Sequence, residues 1–335
     1  MKSSSIQDVA QLAHVSISTV SRSFTRPDLV SKATRDKVMK AADKLNFSIS
    51  RSAAALKTGR ALRIAVLVSG RLNLWFSSSI IEGLNEVFHD EGYDISIYQM
   101  SSTEERSEFF DMLPVRRNVD AVIVISFDID SNEIRQLRSV DVPIIGINSS
   151  LPEERGFNAA VRIDDKQGSE LAARHLMMLG HRDIVYIRSD REVTLHFSVQ
   201  GRYESFMACC QANGVEPRVL VTDAGRNRIS KVVTQLLSLD HMPTAIACQE
   251  DGIAVPLLFQ LERNGFTVPN DISIIGYDDS VYARDLGLTT IRQTPVEMAR
   301  EAARMTRASR EAAARRTVQD VPRAADRPFD HRSSA

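Results

Sequence analysis

Cysteine is scarce in this chain. Three occur in 335 residues, Cys209, Cys210 and Cys248. The odd count and the lack of a repeated spacing exclude a disulfide framework or a cysteine-based zinc site. The adjacent pair is read as reduced residues in or near a core. No apolar run reaches the ~18 residues that a membrane-spanning helix needs. The polar N-terminus lacks the apolar stretch of a secretory leader, so a cytoplasmic location is expected. A glycine-rich phosphate loop, metal-ligand spacing and a nucleophile elbow are all missing. With them go the usual sequence signs of an α/β enzyme, and no cofactor or metal is called for. The seven histidines are scattered and read as ordinary surface or structural residues. Net charge is also nearly absent, at −1.

What is present is distributed unevenly. Residues 1–60 hold 11 Lys and Arg against four Asp, a local surplus of seven. A basic head on a near-neutral body fits a polyanion, although a solvated charged surface would look the same. The length allows about two or three domains.

Residues 5–22 organise the head. Ser5 with Asp8 can cap a short helix, and Ile6, Val9, Ala10 and Ala13 give it one apolar face. A turn follows at His14-Val15. Ser16 can cap a second helix that turns Val20 inward and Ile17, Ser18, Ser21 and Arg22 outward. Two short helices with a tight turn form a helix-turn-helix, whose second helix can lie in a major groove. A surface helical hairpin would give a similar pattern. A third helix runs from a cap at Ser31 to about Leu45, with Val38, Ala41, Ala42 and Leu45 as its buried stripe. Three such helices make a very small core. Residues 46–60 are a linker or a short helix that needs a partner to be stable. Leu56 near its end can wedge between base steps in a minor groove or pack on the body.

These residues resemble the lactose/galactose repressor family of transcription regulators. The head motif is matched by Ile6-Gln7-Asp8-Val9-Ala10, Val15-Ser16, Thr19-Val20-Ser21-Arg22, Val30-Ser31 and Thr34-Arg35. The resemblance implies that Ile17, Ser18 and Arg22 face base edges. It implies that Ser16, Ser21, Ser31 and Thr34 lie near phosphates and that Leu56 is the minor-groove wedge. Hydroxyls suit phosphate positioning, and an arginine can bridge the acceptors of guanine. The chain departs from the family at His14, where glycine is usual. It departs again at Ile49-Ser50, where Pro-Asn is common, and at Ala54, where arginine is common. A slightly strained turn and a less sharply started hinge helix are expected.

The body alternates apolar strand runs with amphipathic helices. Strands are expected at 63–69, 94–99, 119–125 and 143–147, with helices at 78–90, 104–113 and 132–138. A second series has strands at 183–187, 245–248 and 272–279, with helices at 165–179, 200–212, 227–239 and 252–263. This pattern predicts parallel sheets covered on both faces, with ligands beyond the carboxyl ends of the strands. The family resemblance extends here through Asp164, Leu179-Gly180-His181-Arg182, Pro243-Thr244-Ala245-Ile246, the 268–279 segment and Leu288-Thr289-Thr290-Ile291-Arg292-Gln293. It implies a periplasmic-binding-protein-like body of two Rossmann-like lobes behind the all-α head.

The expected domains are a head at 1–46 and a hinge at 47–60. Lobe 1 takes 61–161 and about 291–315, and lobe 2 takes 162–290. The atypical tail is 316–335.

Effectors in the family are usually sugars, sometimes purines or phosphorylated sugars. Candidate effector residues are Trp75, Phe76, Asp164, Arg202, Glu250 and Asp278. A strand-end carboxylate such as Asp278 can accept from sugar hydroxyls, or cap the next turn. Trp75 and Phe76 can stack on ring faces, with core or dimer packing as the alternative for Trp75. The family's cleft arginine is replaced, with Val199 at its place and Arg202 nearby. Glu250-Asp251 stands for the usual Asn-Asp, which exchanges donors for acceptors. An altered or lost effector response is therefore a second expectation.

A helix is expected at 297–314, and beyond it the composition reads as disordered and basic. The family ends in an apolar strand instead. A frameshift near the end of the gene would account for the difference, and resequencing codons 300–335 tests it.

The implied function is a DNA-binding repressor controlled by a small molecule, with a sugar or sugar derivative as the expected effector. Its partners would be a near-palindromic double-stranded operator and a second copy of the chain, with a tetramer open and no membrane. A solute-binding protein would fit the body but leave the basic head unexplained. An α/β enzyme lacks its motifs.

Overall fold

The computed structural model describes residues 4–47, 61–69, 71–100, 103–116, 119–127, 129, 131–139, 142–149, 157–189, 198–223 and 225–319. The chain divides into two compact units, 1–62 and 63–335.

The first unit has three helices, α1 (Ile6–Ala13), α2 (Ile17–Thr25) and α3 (Lys32–Lys44). Each begins at a serine. The Ser5 hydroxyl accepts from the Asp8 N–H while the Asp8 carboxylate accepts from the Ser5 N–H, a reciprocal capping box. Ser16 and Ser31 accept from the N–H groups of Thr19 and Thr34. His14 ends α1 in the left-handed region at φ 52. The side chain standing where glycine is usual therefore does occupy a conformation that disfavours a Cβ, at a cost on the order of 1 kcal/mol. The three helices close over Val9, Val20 and Val38, none of which reaches solvent.

The second unit contains two five-stranded parallel sheets. The first lobe is built from β1 (Arg63–Ser69), α4 (Trp75–Asp90), β2 (Asp94–Met100), α5 (Thr103–Arg116), β3 (Ala121–Ile125), α6 (Ser131–Ser139), β4 (Ile144–Ile147) and β5 (Ala159–Val161). Its strand order is β2-β1-β3-β4-β5. The second lobe is built from α7 (Asp165–Met178), β6 (Ile184–Ser189), α8 (Ser198–Ala212), β7 (Arg218–Thr222), α9 (Arg228–Leu237), β8 (Ala245–Cys248), α10 (Asp251–Arg263), β9 (Ser273–Asp278), α11 (Val281–Asp285) and β10 (Thr289–Arg292). Its order, β10-β9-β8-β6-β7, is the same topology repeated. In each lobe the order reverses beside the first strand, where crevices form in open α/β sheets.

Three strands escape the sequence reading: β5, β7 and β10. All three sit at sheet edges and are half-buried or mixed in burial. An edge strand covered on one side lacks the continuous apolar run that marks β1 or β3. The helix expected at 78–90 starts earlier, at Trp75, and the terminal helix is longer than expected.

That last helix, α12 (Pro295–Gln319), follows β10 but packs on α4, β4 and β5 of the first lobe. Met298, Ala299, Ala302 and Ala303 form its buried face. The helices approach closely at Gly83, where an added Cβ would stand 2.7 Å from the Val296 carbonyl oxygen and 2.8 Å from the Ala299 Cβ. A backbone atom cannot rotate away. Gly83→Ala is expected to cost about 1–3 kcal/mol, read as a lower denaturant midpoint at unchanged slope. The helix takes in residues 316–319, which had been expected to belong to the tail. Residues 320–335, where the frameshift reading lies, are outside the described residues, as is Leu56.

Candidate functional site

Helix α2 presents the first site. Ile17 is 47% exposed, and Ser18 and Arg22 are exposed beside it. Ser21 is half-buried on the same side, while Val20 on the opposite side anchors the helix in the head core. The spacing 17, 18, 21, 22 puts all four within one face of a helix. Ser16 and Ser31 are exposed at the starts of α2 and α3, with Thr34 half-buried. Their hydroxyls pair locally, Ser16 with Ser18 and Thr19 and Ser31 with Thr34, each at 2.8 Å. Two capped helix N-termini and a row of hydroxyls thus share the head with an exposed arginine. Helix N-termini and hydroxyls suit phosphate oxygens, and an exposed arginine suits base edges.

The second site is a cleft of about 770 Å³ in the body. Its walls are the strand ends that the parallel topology brings together: Ser69 at the end of β1, Ser189 at the end of β6, Asp223 after β7, Asp251 after β8 and Asp278 at the end of β9. Trp75 and Ser78 from the first turn of α4 and Tyr282 from α11 complete the lining.

Of the six candidate effector residues, Trp75 and Asp278 line this cleft. The other four are placed otherwise. Asp164 caps α7, its carboxylate accepting from the Gln167 N–H at 2.8 Å. Phe76 is half-buried on α4 and does not line the cleft. Glu250 stands behind Arg228, 3.7 Å from its guanidinium. Arg202 is buried, with its Nε donating to Asp165 at 2.7 Å and a terminal nitrogen 3.7 Å from Asp278. Its guanidinium lies 4.0 Å from the centre of the Tyr277 ring. A group committed to two carboxylates and a ring face positions Asp278 from behind rather than reaching a ligand. Val199, at the place of the family's cleft arginine, has a side chain outside the described residues.

Asp278 is buried and holds φ 135, a left-handed conformation rare for a side-chain-bearing residue. Gln293 donates to its carboxylate at 2.5 Å. Burial pushes its pKa well above the ordinary carboxylate value, against the opposing pull of Arg202. Burial likewise raises Asp165 and Asp251. Stability from a carboxyl with a raised folded-state pKa is fully present below its unfolded value and lost as pH rises through the folded value. Asp278→Asn removes one such group. Its Tm is expected to fall less than the parent's as pH rises from about 4, which calorimetry across pH checks.

Two further cleft carboxylates, Asp223 and Asp251, follow from the strand-end rule, whereas Arg228 does not. Asp251 accepts from the Ser280 N–H at 2.8 Å and the Thr290 hydroxyl at 2.7 Å. Asp223 accepts from the Gly225 N–H at 2.8 Å and pairs with Lys231. Arg228 had a subtler signal. Pro256 sits inside α10 and has no N–H to give the Gly252 carbonyl one turn earlier. Arg228 donates to that carbonyl instead, at 2.6 Å.

Comparison with known proteins adds to this geometry. Residues 5–50 match the family described as bacterial regulatory proteins, lacI family, and residues 173–327 match the periplasmic binding protein-like domain. The chain is 32% identical over 305 residues to the HTH-type transcriptional repressor CytR of Escherichia coli, covering 89% of this chain and 87% of that one. It is 30% identical over 295 residues to the HTH-type transcriptional repressor PurR of Vibrio parahaemolyticus, covering 86% of each. Among solved structures, the lac repressor dimer bound to operator and the anti-inducer ONPF superposes with a TM-score of 0.78 at 24% identity, covering 93% of this chain and 94% of that one. At that identity the likeness speaks for the fold.

Proposed function

The chain belongs to the lacI family of bacterial regulatory proteins, and on that footing we propose that it is a DNA-binding transcriptional repressor controlled by a small molecule. The observation that carries the reading is the joint exposure of Ile17, Ser18 and Arg22 on one face of a helix whose other face is locked into the head core. Arg22 reads a guanine edge, and Ile17 offers apolar contact, for example to a thymine methyl. Ser16, Ser21, Ser31 and Thr34 hold the phosphates on either side. Two copies place two heads on a near-palindrome, and Leu56 from each wedges the minor groove between them. The protein acts where the genome is, in the cytoplasm.

The cleft takes the effector, a sugar or sugar derivative, with Trp75 against the ring and Asp278 accepting from a hydroxyl. Closing the lobes on this ligand changes the affinity of the paired heads for DNA, a coupling between two distinct sites. Selection of bound duplexes from a random pool, repeated with candidate sugars, tests the whole scheme. A near-palindromic motif should emerge, and its yield should change with one class of sugar. Recovery of unselected sequence would remove the DNA-reading role.

A further inference from the structure

Arg26 stands at the end of α2 and has been given no role. It is the C-cap of that helix, four residues past Arg22. Its backbone is fixed on both sides. The Arg26 N–H donates to the Arg22 carbonyl at 2.8 Å, and the Arg26 carbonyl accepts from the Leu29 N–H at 3.0 Å. The side chain is exposed and makes no hydrogen bond or ion pair among the described residues. Asp28, two positions on, is exposed as well, and the two are not paired. The other described basic residues of the head are Arg22 on α2 and Lys32, Arg35, Lys37, Lys40 and Lys44 on α3.

Length decides what such a residue can reach. Helix α2 has nine residues, Ile17–Thr25, or about 13.5 Å at a rise of about 1.5 Å per residue. The major groove is about 12 Å wide. A recognition helix docked by its N-terminal residues has covered about that distance by its last one. Arg26 therefore stands at the rim of the groove, where the wall is sugar and phosphate and no longer base edge. The C-terminal end of a helix carries partial negative charge, which repels a phosphate. A free guanidinium at the C-cap reverses the sign at that end. Because its backbone is already held, it can pair with a phosphate oxygen without giving up a bond of the head.

We propose that Arg26 is a positioning residue for DNA, pairing with a backbone phosphate at the groove rim beyond the base pairs that Arg22 reads. The inference rests on the reading of the head as the DNA-binding site. Two arginines on one short helix then have separate tasks. Arg22 discriminates between base pairs, and Arg26 fixes how far α2 enters the groove while adding affinity on any sequence.

The test is a salt series of duplex binding by the full-length protein, on a selected duplex and on a random one. Arg26→Ala is expected to make the slope of log affinity against log salt shallower by about 1 per head, or about 2 for two heads. The loss should be the same factor on both duplexes, with discrimination at every base pair intact. Arg26→Gln, which keeps the length without the charge, should behave like alanine, and Arg26→Lys should restore the parent slope. Arg174→Ala removes the same charge from α7 in the body, where it pairs with Glu170, and should leave the slope unchanged. A parent-like slope in both neutral variants would overturn the proposal. So would a loss confined to one base pair and not rescued by lysine, which would make Arg26 a second base reader. Either result, with a steep slope in the parent, leaves the head as a DNA reader. A flat slope in the parent counts against both readings.

Discussion

Raising salt from about 50 to about 200 mM is expected to weaken duplex binding by about a thousandfold or more, if two heads together engage about six to ten phosphates. The expectation starts from the surplus of seven basic residues in the first sixty. Lys32, Lys37, Lys40 and Lys44 of α3 are exposed, and Arg35 is half-buried among them. Cations that replace condensed counterions on DNA release them, so the logarithm of affinity falls in proportion to the logarithm of salt. The loss should be large on random DNA too, because phosphates carry no sequence. Fluorescence anisotropy over a salt series measures the slope. A flat response would mean that the basic face is only a solvated surface.

Arg202→Leu is expected to lower the stability of the body by about 3–5 kcal/mol. Arg202 is 4% exposed and is the cation between Asp165 and Asp278, with Tyr277 packed on its face. Leucine fills part of the volume but leaves the buried Asp278 and the half-buried Asp165 carboxyls without their counter-charge. Both already have raised pKa values with the arginine present, and without it both should rise further. The deficit should therefore shrink as pH falls and the carboxyls take up protons. At neutral pH a Tm lowered by on the order of 10 °C is expected for a unit of this size. A variant that melts like the parent would show that the cluster contributes nothing to the fold. A deficit independent of pH would assign the loss to packing instead of charge.

The arrangement of these residues shows what could be read from sequence. The head was legible almost residue by residue, because its helices are local and their starts are written in hydroxyls: Ser5, Ser16 and Ser31 each cap the helix that follows. The buried strands β1 and β3 were equally plain as unbroken apolar runs. The edge strands β5, β7 and β10 were not, since each is short and only half-buried or mixed in burial. The cleft was legible as a place and not as a list. Asp278 and Trp75 line it, but Arg202 does not, because nothing local says that Asp165, 37 residues away, will claim its guanidinium. Arg228 was hidden for a related reason. Its position depends on a carbonyl freed by Pro256, on a helix that only the folded sheet brings alongside.

The central claim is that α2 reads bases, and Arg22→Ala tests it most directly. Duplexes selected by the parent are scored, pair by pair, for binding to the parent and to the variant at one fixed salt concentration. The account predicts that Arg22→Ala loses about 1–3 kcal/mol of discrimination at one base pair of each half-site and leaves the other positions unchanged. Equal loss on the selected site and on random DNA would contradict it, for then the arginine would hold the backbone and read nothing.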